Sequence, residues 1–317
     1  MKVRYRRQTA SLPSDIQPRR SRRGIAVLPA LFTLGNCLCG FASLGYASSG
    51  RAAAGTALKV GSLDLSYYSV AGYLIFAAML FDMFDGFVAR LARATSDFGA
   101  ELDSLADMVS FGVAPAFLAL SLIDAMLRDQ YPGAHAGYGW LGPNGDDQMG
   151  KLFWTIGAVY VGCAALRLAR FNVRNQHEVD SHMNFRGMPS PGAAGVVASS
   201  IIFFEALYSQ KHILNFNVPQ ALVDILKEFF PYVLPAVLLI AALLMVSRFQ
   251  YSHLINRFLR GRRKFRQLVG IFLILMLLVW QPQITALLAI YIYALSAPLG
   301  WVLMKVFRRR AAVAPPQ

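Results

Sequence analysis

Six of the 17 acidic residues of this 317-residue chain fall within residues 82–107, DMFDGFVARLARATSDFGAELDSLAD: Asp82, Asp85, Asp97, Glu101, Asp103 and Asp107. The stretch lies between two apolar runs, Tyr67 to Phe81 and Met108 to Leu127. Carboxylates at the end of a membrane helix are costly and need compensation. Asp82 and Asp85 stand three residues apart, Asp103 and Asp107 four, so each pair occupies one helix face. Two such helices facing each other converge four carboxylates, which repel unless a cation sits among them. All-oxygen ligands suit one or two ions of Mg²⁺, Mn²⁺ or Ca²⁺. Gly86 leaves room for a ligand beside Asp85, and Arg90 offers a cationic fork for a phosphate. Gly99, one turn before Asp103, lets helices approach closely. A solvated acidic helix end, or a set of intramembrane ion pairs, also accommodates any one of these acids. Neither accounts for the whole set together with Gly86 and Arg90.

The elements that must hold these residues are membrane helices. The chain is 56% hydrophobic and 15% charged, too apolar for an ordinary soluble protein, and the apolar residues come in long blocks. This predicts an all-α, polytopic transmembrane helical bundle of six to eight spans. Candidate spans are residues 25–48, 67–89, 107–127, 152–170, 192–208, 231–247, 268–281 and 284–305, with Gln281-Pro282-Gln283 as a tight hairpin between the last two. The net charge of +14 is not that of a nucleic-acid binder, because its placement follows topology. In an eight-span arrangement 25 of the 31 Lys and Arg fall on one side, including the N-terminal tail, the 90–106 segment and the 248–267 loop. This is the positive-inside pattern, with both termini and the acidic stretch cytoplasmic. The basic loops either only set that topology or also attract anionic lipid. Cys37, Cys39 and Cys163 form no disulfide framework or zinc pattern and read as buried, inert thiols.

The pattern Asp82-x2-Asp85-Gly86-x2-Ala89-Arg90-x8-Gly99-x3-Asp103-x3-Asp107 resembles the signature of the CDP-alcohol phosphatidyltransferases, with all eight fixed positions present. Two further stretches resemble the phosphatidylserine synthase branch of that family. One is PALFTLGNCLCGF in the first span; the other is ALRLARFN followed by FRGMPSP, within residues 165–191. The resemblance implies a membrane bundle whose substrates are CDP-diacylglycerol and an alcohol, here L-serine. It implies divalent metal, two ions of Mg²⁺ or Mn²⁺ with Ca²⁺ as a further occupant, held by Asp82, Asp85, Asp103 and Asp107. Gly86 and Arg90 then position the phosphates, and Asp107 is the expected general base.

In the first span Thr33 and Asn36 share a helix face; this suits a helix–helix hydrogen bond, or, by the resemblance, contact with the cytidine end of the substrate. Ser96 reads equally as the cap of the next helix and as a polar contact to the nucleotide. Arg167, Arg170 and Arg174 fall on one helical stripe, with polar Asn172 between the last two in sequence and Arg186 immediately before a rigid Gly-Met-Pro-Ser-Pro turn. These arginines read as a topology signal, or as a grip on the serine carboxylate or the adjoining phosphate. His135, His177 and His182 have no spaced partner and read as surface residues; Glu205, near a span end, reads as structural.

The expected organisation is a basic cytoplasmic tail over 1–24, a membrane domain over 25–310 and a disordered C-terminus over 311–317. The tail does not resemble a typical signal peptide, because the apolar run after it is too long. The expected location is the inner membrane, among membrane lipids, with no nucleic acid partner. Oligomeric state is open, a homodimer included. Two other readings remain: a sister transferase with glycerol 3-phosphate or an inositol compound as acceptor, and a cation transporter with intramembrane Asp residues.

Overall fold

The computed structural model describes residues 27–52, 58–60, 63–92, 97–131, 148–177, 187–208, 219–249, 251 and 265–313. The 1–24 tail, Ser96, His135, His182, Arg186, most of the 248–267 loop and residues 314–317 lie outside the described residues. The chain runs through α1 (Val27–Ala52), a hairpin of β1 (Leu58–Val60) and β2 (Leu63–Leu65), α2 (Tyr67–Ala92) and α3 (Asp97–Asp107). A π-helical segment, Met108–Val113, leads into α4 (Ala114–Gln130). Then follow α5 (Gln148–His177), α6 (Ser190–Tyr208), α7 (Gln220–Val246), α8 (Phe265–Trp280) and α9 (Pro282–Val313). The hairpin is antiparallel, Leu58 opposite Leu65, and sits between the first two long helices without altering the helical class.

Six stretches are long and apolar enough to cross a bilayer: Leu28–Gly50, Phe98–Gln130, Gln148–Val173, Ser190–Tyr208, Gln220–Val246 and Pro282–Lys305. The expected spans at 67–89 and 268–281 form helices outside this set. α2 carries Asp82, Asp85 and Arg90 in its second half, and α8 has only 16 residues. α7 begins at Gln220 rather than near 231, running on through Pro231 and Pro235. Interior prolines are tolerated in membrane helices, where neighbouring groups satisfy the freed carbonyls. Between α8 and α9 only Gln281 is non-helical. The Thr285 hydroxyl donates to the Leu277 carbonyl at 3.0 Å, although eight residues of straight helix span about 12 Å. The chain therefore bends sharply at Pro282, which cannot donate the next helical bond.

α6 is the axis of the bundle. Val196, Val197, Ala198, Ile201 and Phe204 are all buried, and it packs against α2, α7 and α9. A helix apolar on every side belongs inside. Its entry is anchored by the turn Gly187-Met188-Pro189: the Gly187 N–H donates to the Phe249 carbonyl at 2.8 Å and the Met188 N–H to the Leu244 carbonyl at 2.9 Å. Gly187 has φ +89°, and a Cβ there would run into the Met245 carbonyl oxygen. Only glycine fits both conditions. Gly187→Ala should therefore cost about 1–3 kcal/mol of stability from backbone strain alone. A thermal midpoint equal to the parent's, in purified protein, would refute this account of the turn.

Candidate functional site

Three helices build the site. α2 and α3 carry the acids, and α1 packs across both. Phe32 of α1 packs against Phe81 and Phe84 of α2, with ring centroids 6.3 and 5.9 Å apart, beside Asp82 and Asp85. On its other side α1 presses on the π-helical segment. A Cβ at Gly40 would collide with Ser110, and the Ser110 hydroxyl donates to the Asn36 carbonyl at 2.8 Å. In lipid, small residues and interhelical hydrogen bonds of this kind drive helix association, since apolar burial is no longer selective. π-segments widen a helix and concentrate at functional sites. This one begins immediately after Asp107 and re-phases the face carrying Asp103 and Asp107 relative to α4.

Asp82, Asp85 and Asp103 come together, each offering a carboxylate oxygen within 4.8 Å of the other two. Asp85 Oδ2 and Asp103 Oδ1 are buried and accept no hydrogen bond. Among the described residues no Lys or Arg pairs with these three acids. Carboxylate oxygens so placed repel one another and lack donors, an arrangement whose natural complement is a cation. The three acids could hold a divalent ion.

Asp107 stands outside that trio, though near enough to share its electrostatic field. It is 8% exposed, and its Oδ1 accepts a hydrogen bond of 3.0 Å from Asn36 Nδ2. The Asn36 side chain is fully buried, and its own Oδ1 has no partner. Thr33, one turn earlier, donates to the Pro29 carbonyl at 3.1 Å and lies beside the Asp85 carboxyl. The helix-face pairing of Thr33 and Asn36 thus directs both toward the acids.

Gly86 faces the Arg90 guanidinium. A Cβ at Gly86 would meet nothing nearer than Arg90 Nη1 at 3.6 Å, an ordinary contact, so packing does not demand glycine there. The exposed Arg90 in the last turn of α2 folds over the gap. Space beside Asp85 and a guanidinium over it are groups that could hold a phosphate.

Of the α5 stripe, Arg167 is half-buried, within electrostatic reach of Asp107 and of Tyr293 on α9, whereas Arg170 is exposed. The side chain of Arg174 and the whole of Arg186 and Ser96 lie outside the described residues. Asn172 is tied to α3, where the Ser104 hydroxyl reaches its Oδ1 at 3.1 Å. Ser110 and Tyr293 went unnoticed in the sequence. A lone serine inside an apolar run was a signal for Ser110; nothing local marks Tyr293.

The family model described as CDP-alcohol phosphatidyltransferase matches residues 26–223. Three relatives share the name CDP-diacylglycerol–serine O-phosphatidyltransferase. That of Helicobacter pylori (strain ATCC 700392 / 26695) is 31% identical over 58% of this chain and 61% of its own length. The Bacillus subtilis (strain 168) protein is 32% identical over 52% of this chain and 70% of its own length. The Saccharomyces cerevisiae (strain ATCC 204508 / S288c) protein is 34% identical over 53% of each. The matched stretch thus spans less than two thirds of the first and third of these relatives.

Proposed function

We propose that this chain, which belongs to the CDP-alcohol phosphatidyltransferase family, transfers the phosphatidyl group of CDP-diacylglycerol to the hydroxyl of L-serine. The products are phosphatidylserine and CMP. The observation that carries the reading is the trio Asp82, Asp85 and Asp103 with its two unpartnered oxygens, set beside the open Gly86 and the Arg90 fork. That combination suits a diphosphate with its metal at the edge of a multi-pass membrane protein. The acyl chains stay in lipid while the head group reaches the helix ends.

In this reading Asp82, Asp85 and Asp103 would hold a first divalent ion, Mg²⁺ or Mn²⁺, and Asp107 would share in a second. When bound, the ions neutralise the diphosphate and the charge that develops on the leaving CMP. Arg90 and the backbone at Gly86 hold the phosphates in line. Thr33 and Asn36 line the cytidine side, and Ser96 is a further candidate for it on the sequence alone. Asp107 takes the proton of the serine hydroxyl as its oxygen bonds to the phosphatidyl phosphorus. The bond from that phosphorus to the oxygen bridging to CMP breaks, and CMP departs with the electron pair. Asn36, donating to Asp107 Oδ1, holds the carboxyl so that Oδ2 faces the acceptor. Arg167, with Arg170 and Asn172, serves the serine carboxylate, and Arg186 is a further candidate for it on the sequence alone.

Purified protein with labelled CDP-diacylglycerol and a panel of alcohols tests this directly. Serine-dependent CMP release supports it. Release only with glycerol 3-phosphate or an inositol compound moves the chain to a sister activity, and cation flux without CMP release replaces the enzyme reading altogether. The membrane unit extends over 25–310, between the 1–24 tail and the short C-terminal segment. The Lys and Arg distribution supports an inner-membrane protein with the 248–267 loop and the acids on the cytoplasmic side. A cysteine introduced at residue 258 should accordingly resist membrane-impermeant label in intact cells; rapid labelling from outside would reverse the orientation.

A further inference from the structure

Thr33, Ser49, Ser104, Thr155 and Ser200 each donate to the carbonyl four residues earlier in their own helix, the usual bond of a hydroxyl in apolar surroundings. Ser110, fully buried, instead crosses to α1 and donates to the Asn36 carbonyl at 2.8 Å. It lies three residues after Asp107. Asn36 thus accepts one bond through its backbone from Ser110 and donates one through its side chain to Asp107 Oδ1 at 3.0 Å. The two bonds close a ring across the helix interface. One bond alone is a hinge, whereas two fix the separation of the helices and the direction of the Asn36 amide together. A Cβ at Gly40, one turn further along α1, would lie 2.7 Å from Ser110 Cα, so the two backbones meet as closely as glycine allows. The Asp107 carboxylate makes no capping bond to the π-segment that follows it, which leaves the Asn36 amide to orient it.

We propose that Ser110 is a positioning residue. By holding the Asn36 carbonyl it aims the Asn36 amide, and through that amide the Asp107 carboxylate, at the acceptor hydroxyl. The inference rests on the reading of Asp107 as the base. Without the Ser110 hydroxyl the α1 turn is free to drift from the π-segment, and a displacement of about 1 Å costs on the order of 10²-fold in rate.

The test uses the full-length protein and the alcohol that gives the parent's fastest CMP release. Ser110→Ala removes the hydroxyl and keeps a small buried side chain. Its kcat should fall about 10- to 100-fold, with nucleotide affinity at saturating metal unchanged. Ser43→Ala is the control for helix association alone. The Ser43 hydroxyl is also fully buried on α1 and donates to the Ala71 carbonyl of α2 at 2.9 Å. Both variants lose one buried interhelical hydrogen bond, so both should lower the thermal midpoint by similar amounts. Ser43→Ala should nevertheless keep the parent's kcat. Asn36→Ala should lower kcat, and adding Ser110→Ala to it should change little, because residues acting through one another are not additive. A Ser110→Ala kcat within about twofold of the parent's, an equal loss in Ser43→Ala, or additive losses in the double variant overturns the inference. If Asp107→Asn loses its turnover in the same assay, only the role of Ser110 falls. An Asp107→Asn enzyme with the parent's kcat, or a parent that releases CMP to no alcohol, overturns the underlying reading and this inference with it.

Discussion

Asp107→Asn should still bind CDP-diacylglycerol in the presence of metal and lose about 10²–10⁴-fold in kcat, the usual contribution of a positioned base. A serine hydroxyl is a poor nucleophile at neutral pH, so its proton must leave as the oxygen attacks. Of the four acids, Asp107 is the one set apart from the metal-binding trio. Its Oδ1 already accepts from Asn36 Nδ2 at 3.0 Å, which leaves Oδ2 to take the proton. The asparagine can turn its carbonyl oxygen to Asn36 and preserve that bond, so the buried site keeps its shape. What it presents to the acceptor is then an amide N–H₂, which cannot take a proton. Nucleotide affinity and kcat, both at saturating metal, separate the two roles. A variant within about threefold of the parent's kcat would remove Asp107 as the base.

Removing the metal should be as damaging and should act earlier, on binding. Exhaustive chelation should lower turnover by roughly a hundredfold or more, given the several kcal/mol of charge stabilisation a metal supplies. Mg²⁺ or Mn²⁺ should restore it. Asp82→Asn should weaken metal and nucleotide binding together, in contrast to Asp107→Asn. A second readout needs no turnover. Three carboxylates with oxygens within 4.8 Å repel one another in the metal-free protein. Replacing one by a neutral amide relieves that repulsion, so metal-free Asp82→Asn should melt above the metal-free parent. With metal present the order should reverse, because an ion that binds only the folded state adds about 2.7 kcal/mol at a hundred times its Kd. Full turnover after complete chelation would end the metal reading. A metal-free Asp82→Asn that melts below the parent would show that the trio is stabilised in some other way.

The membrane class and the acidic motif were legible in the sequence because both are local. Blocks of apolar residues announce membrane helices by length alone. Spacings of three and four place Asp82 with Asp85, and Asp103 with Asp107, on single faces whatever surrounds them. Periodicity tells which residues share a face, but not which faces meet. It therefore grouped all four acids equally, whereas packing joins three of them and hands Asp107 to Asn36, 71 residues away on α1. That pairing depends on Gly40 letting α1 approach Ser110, and on a π-segment that no helical period predicts. The arginine stripe shows the same limit. Arg167 and Arg170 are equivalent by spacing, yet α5 half-buries the first near Asp107 and leaves the second exposed. The Gly-Met-Pro-Ser-Pro turn read as rigid, but its reason, carbonyls at the end of α7 closing over Gly187, lies almost 60 residues later. Tyr293 lies further still along the chain, in an apolar helix with nothing local to mark it. Only the tertiary structure, by docking α9 through hydrogen bonds to α2 and α6, sets that ring against Gly192 and Tyr251.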